Sequence, residues 1–386
     1  PASAAPDDKP DAKGLSPGEA MHKLISDYQT AVNDYYEKLR DAKTDDERDK
    51  ITAKGPPRCA PVAARMLELS EKNPTDKAVN PTALLWIAAR GGYEPGARKT
   101  RDKALDILSR EYANDPQVGN LCLVLTQVPS EAAEKFLRAV RDADGPDALK
   151  GQAALALGEY WKNTAEAVRR LRREPGLAEG LGETWGRGLV NHLSTADPDQ
   201  FVADAEKVLQ AAADKYGDIA YGRTTVGELA RGDLFELRNL AIGKVAPEIE
   251  GDDLDGKALK LSDYRGKVVV LDFWGNWVIG CRAMYAHERS LVKRTEGKPF
   301  ALLGINSDAD KDALKKALEK EEITWRSWWN GPDGTGGPLS KKWNVHSWPT
   351  TYVLDAKGVI RYKNVRGEKM DEAVDALLKE VDAGAK

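Results

Sequence analysis

Three thiols, four imidazoles and one carboxyl group on an apolar strand are the groups whose type and setting could carry chemistry. The thiols are Cys59, Cys122 and Cys281. A thiolate attacks disulfides and peroxides, so each is a candidate redox group. Three cysteines are too few for a disulfide scaffold, and they lack the paired spacing of a zinc site. The imidazoles, His22, His192, His287 and His346, are scattered along the chain, so neither a metal site nor a cofactor is expected. Cys59 and Cys122 lie in or beside apolar helical patterns and read as small core residues. Cys281 differs, because it follows a short apolar strand in the stretch Asp272-Phe273-Trp274-Gly275-Asn276-Trp277-Val278-Ile279-Gly280-Cys281-Arg282. Strand alternation puts Val268, Val270, Asp272 and Trp274 on one face. Asp272 is therefore a candidate buried carboxyl group whose pKa desolvation raises.

The elements that must position these groups fall into two regions. Residues 16–39 open with Ser16-Pro17-Gly18-Glu19, a capping box with proline at the first helical position. Met21, Leu24, Ile25, Tyr28, Val32, Tyr35 and Leu39 follow at helical spacing. Further helices are predicted near 58–72, 81–90, 97–113, 116–126, 130–143, 147–160, 164–173, 198–215 and 226–241, separated by Gly, Pro, Asn and Asp clusters. They form a helical-hairpin array or an irregular bundle. Ala153-Ala154-Leu155-Ala156-Leu157-Gly158-Glu159-Tyr160-Trp161 is similar to part of a tetratricopeptide repeat, but no 34-residue period runs through the region. From 243 the pattern changes. Strands are predicted at 267–274, 300–305, 324–329, 350–354 and 359–363, with helices at 281–293, 311–320, 339–343 and 370–381. Seven of the ten tryptophans lie here, which supports a boundary near 243–250. The domains read as a leader over 1–14, an α-helical domain over 15–242 and an α/β domain over 243–386.

Composition narrows the function. The 386 residues carry 58 Lys and Arg against 62 Asp and Glu, a net charge of −4, so no basic excess points to nucleic acid. No apolar run approaches the ~20 residues that span a bilayer. The chain starts at Pro1-Ala2-Ser3 without Met, which is compatible with a removed export signal or anchor. Residues 1–14, rich in Pro, Ala, Asp and Lys, are expected to be disordered. His287 and Glu288 are expected to be solvated. So is the basic face of Arg169, Arg170, Arg172 and Arg173. The Gly331–Gly337 stretch reads as a flexible surface loop and not a phosphate cradle.

The stretch around Cys281 closely resembles the active-site segment of thioredoxin-fold proteins, most of all the exported TlpA-like thiol–disulfide reductases. Ser347-Trp348-Pro349-Thr350 resembles their cis-proline loop. Ala246-Pro247-Glu248 and Leu261-Ser262-Asp263-Tyr264-Arg265-Gly266-Lys267 resemble their amino-terminal extension. The resemblance covers roughly 245–383. It implies an α/β thioredoxin-like domain, protein thiols or disulfides and extended polypeptides as partners, and an extracytoplasmic, periplasmic bacterial setting. In that family the loop reads Trp-Cys-x-x-Cys. The first cysteine attacks the substrate disulfide and the second resolves the mixed disulfide. Here the first position is Val278, Gly280 stands where proline is usual, and Ala286 replaces a frequent helix-kinking proline. The resemblance makes Asp272 the acid that helps deprotonate Cys281. Trp277, Trp348, Pro349 and Thr350 become the substrate-binding residues.

Valine cannot act as a nucleophile, so whether the chain is an enzyme stays open. The favoured expectation is a thiol–disulfide oxidoreductase-type protein with a degenerate CxxC that binds thiol or polypeptide partners with little turnover. A second reading is a non-enzymatic scaffold that uses the helical domain. A third is a one-cysteine peroxidase, because Val278-Ile279-Gly280-Cys281 has the spacing at which peroxiredoxins place their cysteine after Thr or Ser.

Overall fold

The computed structural model describes residues 14–91, 94 and 96–384. Apart from Gly14, the predicted leader lies outside them. The chain divides into two compact units between Ala230 and Arg231.

The first unit is built of helices, as its 3.6-residue periodicity predicts. Pro17–Asp41 starts on the capping box, with Ser16 N–H donating to Glu19 Oε2 at 2.8 Å. The longest helix, Asp147–Arg173, is continuous where the sequence predicts two. No Gly or Pro interrupts Trp161-Lys162-Asn163, and Trp161, Thr164, Ala165 and Val168 are all buried. Burying one unbroken face outweighs the local dip in the apolar pattern. This helix packs against Glu131–Asp142 and Pro198–Lys215. Helices at Asp45–Thr52 and Arg187–Thr195 lie outside the stretches that the periodicity predicts. Thr44 caps the first of these through Glu47 N–H. Cys59 and Cys122 are buried in this unit as free thiols.

The second unit is a mixed five-stranded sheet. Its strand order is Ser327–Trp329, Phe300–Asn306, Val268–Trp274, Thr350–Leu354, Ile360–Lys363. The first three strands are parallel and the last two antiparallel. The central strand Val268–Trp274 is buried along its whole length, which suits its β-branched run. Its alternation is realised in two cores. Val268, Val270 and Trp274 pack with Cys281, Leu291 and Met370 on one side. Val269, Leu271 and Phe273 pack with Trp343 and Tyr352 on the other. A helix over Tyr285–Arg294 follows the central strand, and Glu368–Gly384 closes the unit. The expected loop over 331–337 contains a 3-10 turn and is pinned by Asn330. That fully buried amide donates to Gly334 O and Ser340 Oγ, each at 2.6 Å, and accepts from Leu339 N–H at 2.8 Å.

Candidate functional site

The carboxy-terminal end of the central strand gathers the residues that the sequence singles out. After Trp274 the chain turns at Gly275 and Asn276, and Val278 N–H bonds to Gly275 O at 3.0 Å. Val278 caps a four-residue helical turn, Ile279–Arg282, with extended backbone angles of φ −90° and ψ 120°. Asn276 fastens this loop from three sides. Its N–H donates to Asp308 Oδ2 at 2.8 Å, its carbonyl accepts from Arg282 at 2.8 Å, and its Oδ1 accepts from the Tyr285 hydroxyl at 3.2 Å.

Across the loop lies Pro349, whose peptide bond to Trp348 is cis. Gly280 has no side chain to hold the two segments apart. A Cβ there would lie 3.4 Å from Pro349 Cδ and 4.0 Å from Val278 Cγ1. Arg366 donates to the Pro349 carbonyl at 2.7 Å, and the Trp348 indole donates to Ser307 Oγ at 3.1 Å. The Trp277 and Trp348 rings lie 6.4 Å apart at 50°. Trp277 is 55% and Ile279 76% exposed, so the loop presents apolar surface to solvent. Pro349 and Thr350 are buried, and the Thr350 hydroxyl is turned inward to Ser347 O at 2.8 Å.

Beneath the loop the chemistry is enclosed. Cys281 is 1% exposed, and burial pushes its pKa up to about 12. A hydrogen bond with the Gly275 backbone and the Arg366 charge act the other way, while Asp272 and Glu288 add to the rise. Asp272 is 2% exposed on the strand face that alternation assigns to it, and burial raises its pKa.

Glu288 corrects the sequence reading. It is fully buried, not solvated, and contacts Asp272. Cys281, Met284, Glu288 and Leu291 are all buried, at spacings of three, four and three. They line one side of the turn Ile279–Arg282 and the helix Tyr285–Arg294 that follows it, and the spacing was available in the sequence. The neighbouring His287 ring instead bonds Asp371 at 3.0 Å. His346 bonds Asn344 at 2.8 Å. Arg366, Ser307 and Asn276 are further members of the site that sequence spacing does not connect to Cys281. The Arg282 guanidinium donates to the Asn276 carbonyl at 2.8 Å. Among the described residues no group of His, Cys, Asp and Glu could hold a metal ion, and no helix is long and apolar enough to cross a membrane.

Comparison with known proteins bears on this unit. The AhpC/TSA family model matches residues 242–363. The thioredoxin-like protein YneN of Bacillus subtilis (strain 168) is 34% identical over 125 residues, which cover 31% of this chain and 68% of YneN. The chain belongs to the TlpA-like thioredoxin-fold family. The thiol-disulfide oxidoreductase ResA of Bacillus thuringiensis subsp. konkukian (strain 97-27) is 26% identical over 153 residues, 40% of this chain and 86% of ResA. The thioredoxin domain of a thiol-disulfide oxidoreductase from Bacteroides vulgatus is 27% identical, covering 36% of this chain and 99% of its own, at a TM-score of 0.34. The family-model match lies wholly within the second unit of this thioredoxin-fold protein.

Proposed function

We propose that the second unit is a thiol–disulfide oxidoreductase scaffold that binds extended, thiol-bearing polypeptide with little turnover of its own. The observation that carries this reading is the pairing of Val278 with a buried Cys281. Val278 caps the helical turn opposite Pro349, the position where this family's attacking thiol is expected. It supplies no sulfur. Cys281, the expected resolving thiol, is 1% exposed and has a pKa pushed up to about 12 by burial. The surface above it is apolar and aromatic. Exposed Trp277 and Ile279 beside Trp348 suit the side chains of a bound peptide. The partners are then protein thiols or disulfides, and the setting is extracytoplasmic and bacterial, as in the exported reductases that the motif resembles. The one-cysteine peroxidase reading asks for an accessible thiolate near neutral pH, which the burial of Cys281 opposes.

The test is binding of cysteine-containing extended peptides to the full chain, followed by Trp fluorescence and calorimetry. Trp277→Ala and Trp348→Ala are expected to weaken binding by about 1–2 kcal/mol each, the range for interface aromatic residues. Unchanged binding in both variants would refute the groove and favour the helical unit as the binding surface.

A further inference from the structure

We propose that Asp272 and Glu288 hold a single proton between them as a buried carboxyl pair beneath Cys281, and that the pair's remaining negative charge adds to burial in holding Cys281 as a thiol. The proposal deepens the reading above and rests on the same site.

The geometry sets the requirement. Asp272 is 2% exposed and Glu288 is fully buried. A carboxylate only accepts hydrogen bonds. Among the described residues, Asp272 Oδ1 and both Glu288 oxygens meet no N–H or hydroxyl donor. Two ionised carboxylates in contact would repel each other strongly in a buried, low-dielectric setting. One proton removes both problems, because a carboxylic O–H then donates to the neighbouring carboxylate. The two side chains are hydrogen-bond partners in this sense.

The surroundings say which group keeps the proton. The charged and titratable groups facing the pair are Cys281, Tyr285 and Arg366. Arg366 favours the ionised form of Asp272. For Glu288, burial comes first, and the Asp272 charge and hydrogen bond add to it, all in the direction of the protonated form. Glu288 is therefore the acid and Asp272 the carboxylate. The negative charge that remains lies close enough to Cys281 to oppose its ionisation. Because Val278 leaves no exposed attacking thiol, the pair has no exchange cycle to serve and works as a lock. As the shared proton leaves at high pH, the second charge makes Cys281 harder still to ionise, so the three groups titrate together.

The experiment uses the full chain labelled with ¹³C at the side-chain carboxyl groups of Asp and Glu. Wild type, Glu288→Gln and Asp272→Asn/Glu288→Gln are compared. At pH 8, between the raised values of about 7 for Asp272 and about 9 for Glu288, the Glu288 carbon is expected at the position of a protonated acid and the Asp272 carbon at that of a carboxylate. Alkylation of Cys281 at pH 8.5, assigned by mass spectrometry, reads the charge. Glu288→Gln keeps one negative charge and a donor to Asp272, and is expected within about threefold of wild type. The double variant has no charge there and is expected to react about tenfold faster, one pKa unit in thiolate population. Amide spectra confirm that each variant is folded. Two ionised or two protonated carboxyl groups at pH 8 would overturn the proposal, as would a folded double variant that reacts like wild type. Failure of the wild-type chain to bind peptide would overturn the groove reading instead, through a different measurement.

Discussion

Cys281 should be a slow thiol, and its slowness can be worked out. An unperturbed cysteine has a pKa near ~8.5. Burial, with help from Asp272 and Glu288, pushes Cys281 to about 12. Only the thiolate reacts, so a gap of about 3.5 units lowers the reactive population roughly 3,000-fold at neutral pH. Cys59 and Cys122, each pushed up to about 12 with burial as the leading cause, are expected to lag by a similar factor. The perturbation is iodoacetamide at pH 7.5, applied to the native chain and to the chain in denaturant. The assay is the modification rate of each cysteine by mass spectrometry. The expected result is native rates at least about 300-fold below the denatured ones, allowing for a unit of pKa. A native Cys281 rate within about tenfold of the denatured rate would mean that burial does not suppress this thiol. It would also return one-cysteine peroxide chemistry to consideration.

Two further outcomes follow from the same core. The carboxyl pair has raised pKa values in the folded state, so its contribution is fully present below the unfolded values near ~4 and is lost as pH rises toward the folded ones. While the folded pair holds one proton more than the unfolded chain, stability should fall by about 1.4 kcal/mol per pH unit. Amide exchange along the central strand between pH 7 and 9 reads that slope once intrinsic exchange is subtracted. A flat profile, or one no different in Asp272→Asn/Glu288→Gln, would contradict it. Trp343 is fully buried, with its ring centroid 5.2 Å from Tyr352 and 5.6 Å from Phe273. Trp343→Ala should cost about 3–5 kcal/mol, measured by the same exchange, and a loss below about 1 kcal/mol would mean that this core does not depend on it.

The scaffold of the site was legible because it is built from local pattern. Alternation along Val268–Trp274 separates the two cores and places Asp272 on the Cys281 side. The loop from Gly275 to Cys281 follows from its motif. Glu288 escaped because a glutamate between His287 and Arg289 reads as a charged helix surface. Its register with Cys281, Met284 and Leu291 was the available signal, and residue type obscured it. Asn330 was illegible for another reason. It gathers Ser307, Gly334, Leu339 and Ser340 from separate segments, and no spacing rule links them. The continuous helix Asp147–Arg173 carries a similar lesson, because a dip in apolar pattern without a breaker does not end a helix that tertiary burial supports.

The proposed function requires an intact exchange scaffold that lacks only its attacking sulfur. Disulfide reduction by wild type and by Val278→Cys, with insulin as substrate and dithiothreitol as reductant, tests it most directly. A cysteine at 278 would cap the helical turn, where unpaired backbone N–H groups favour the thiolate. The expected result is wild type at the reductant background and Val278→Cys clearly above it. Turnover by wild type, or a folded Val278→Cys that stays at background, would contradict the claim.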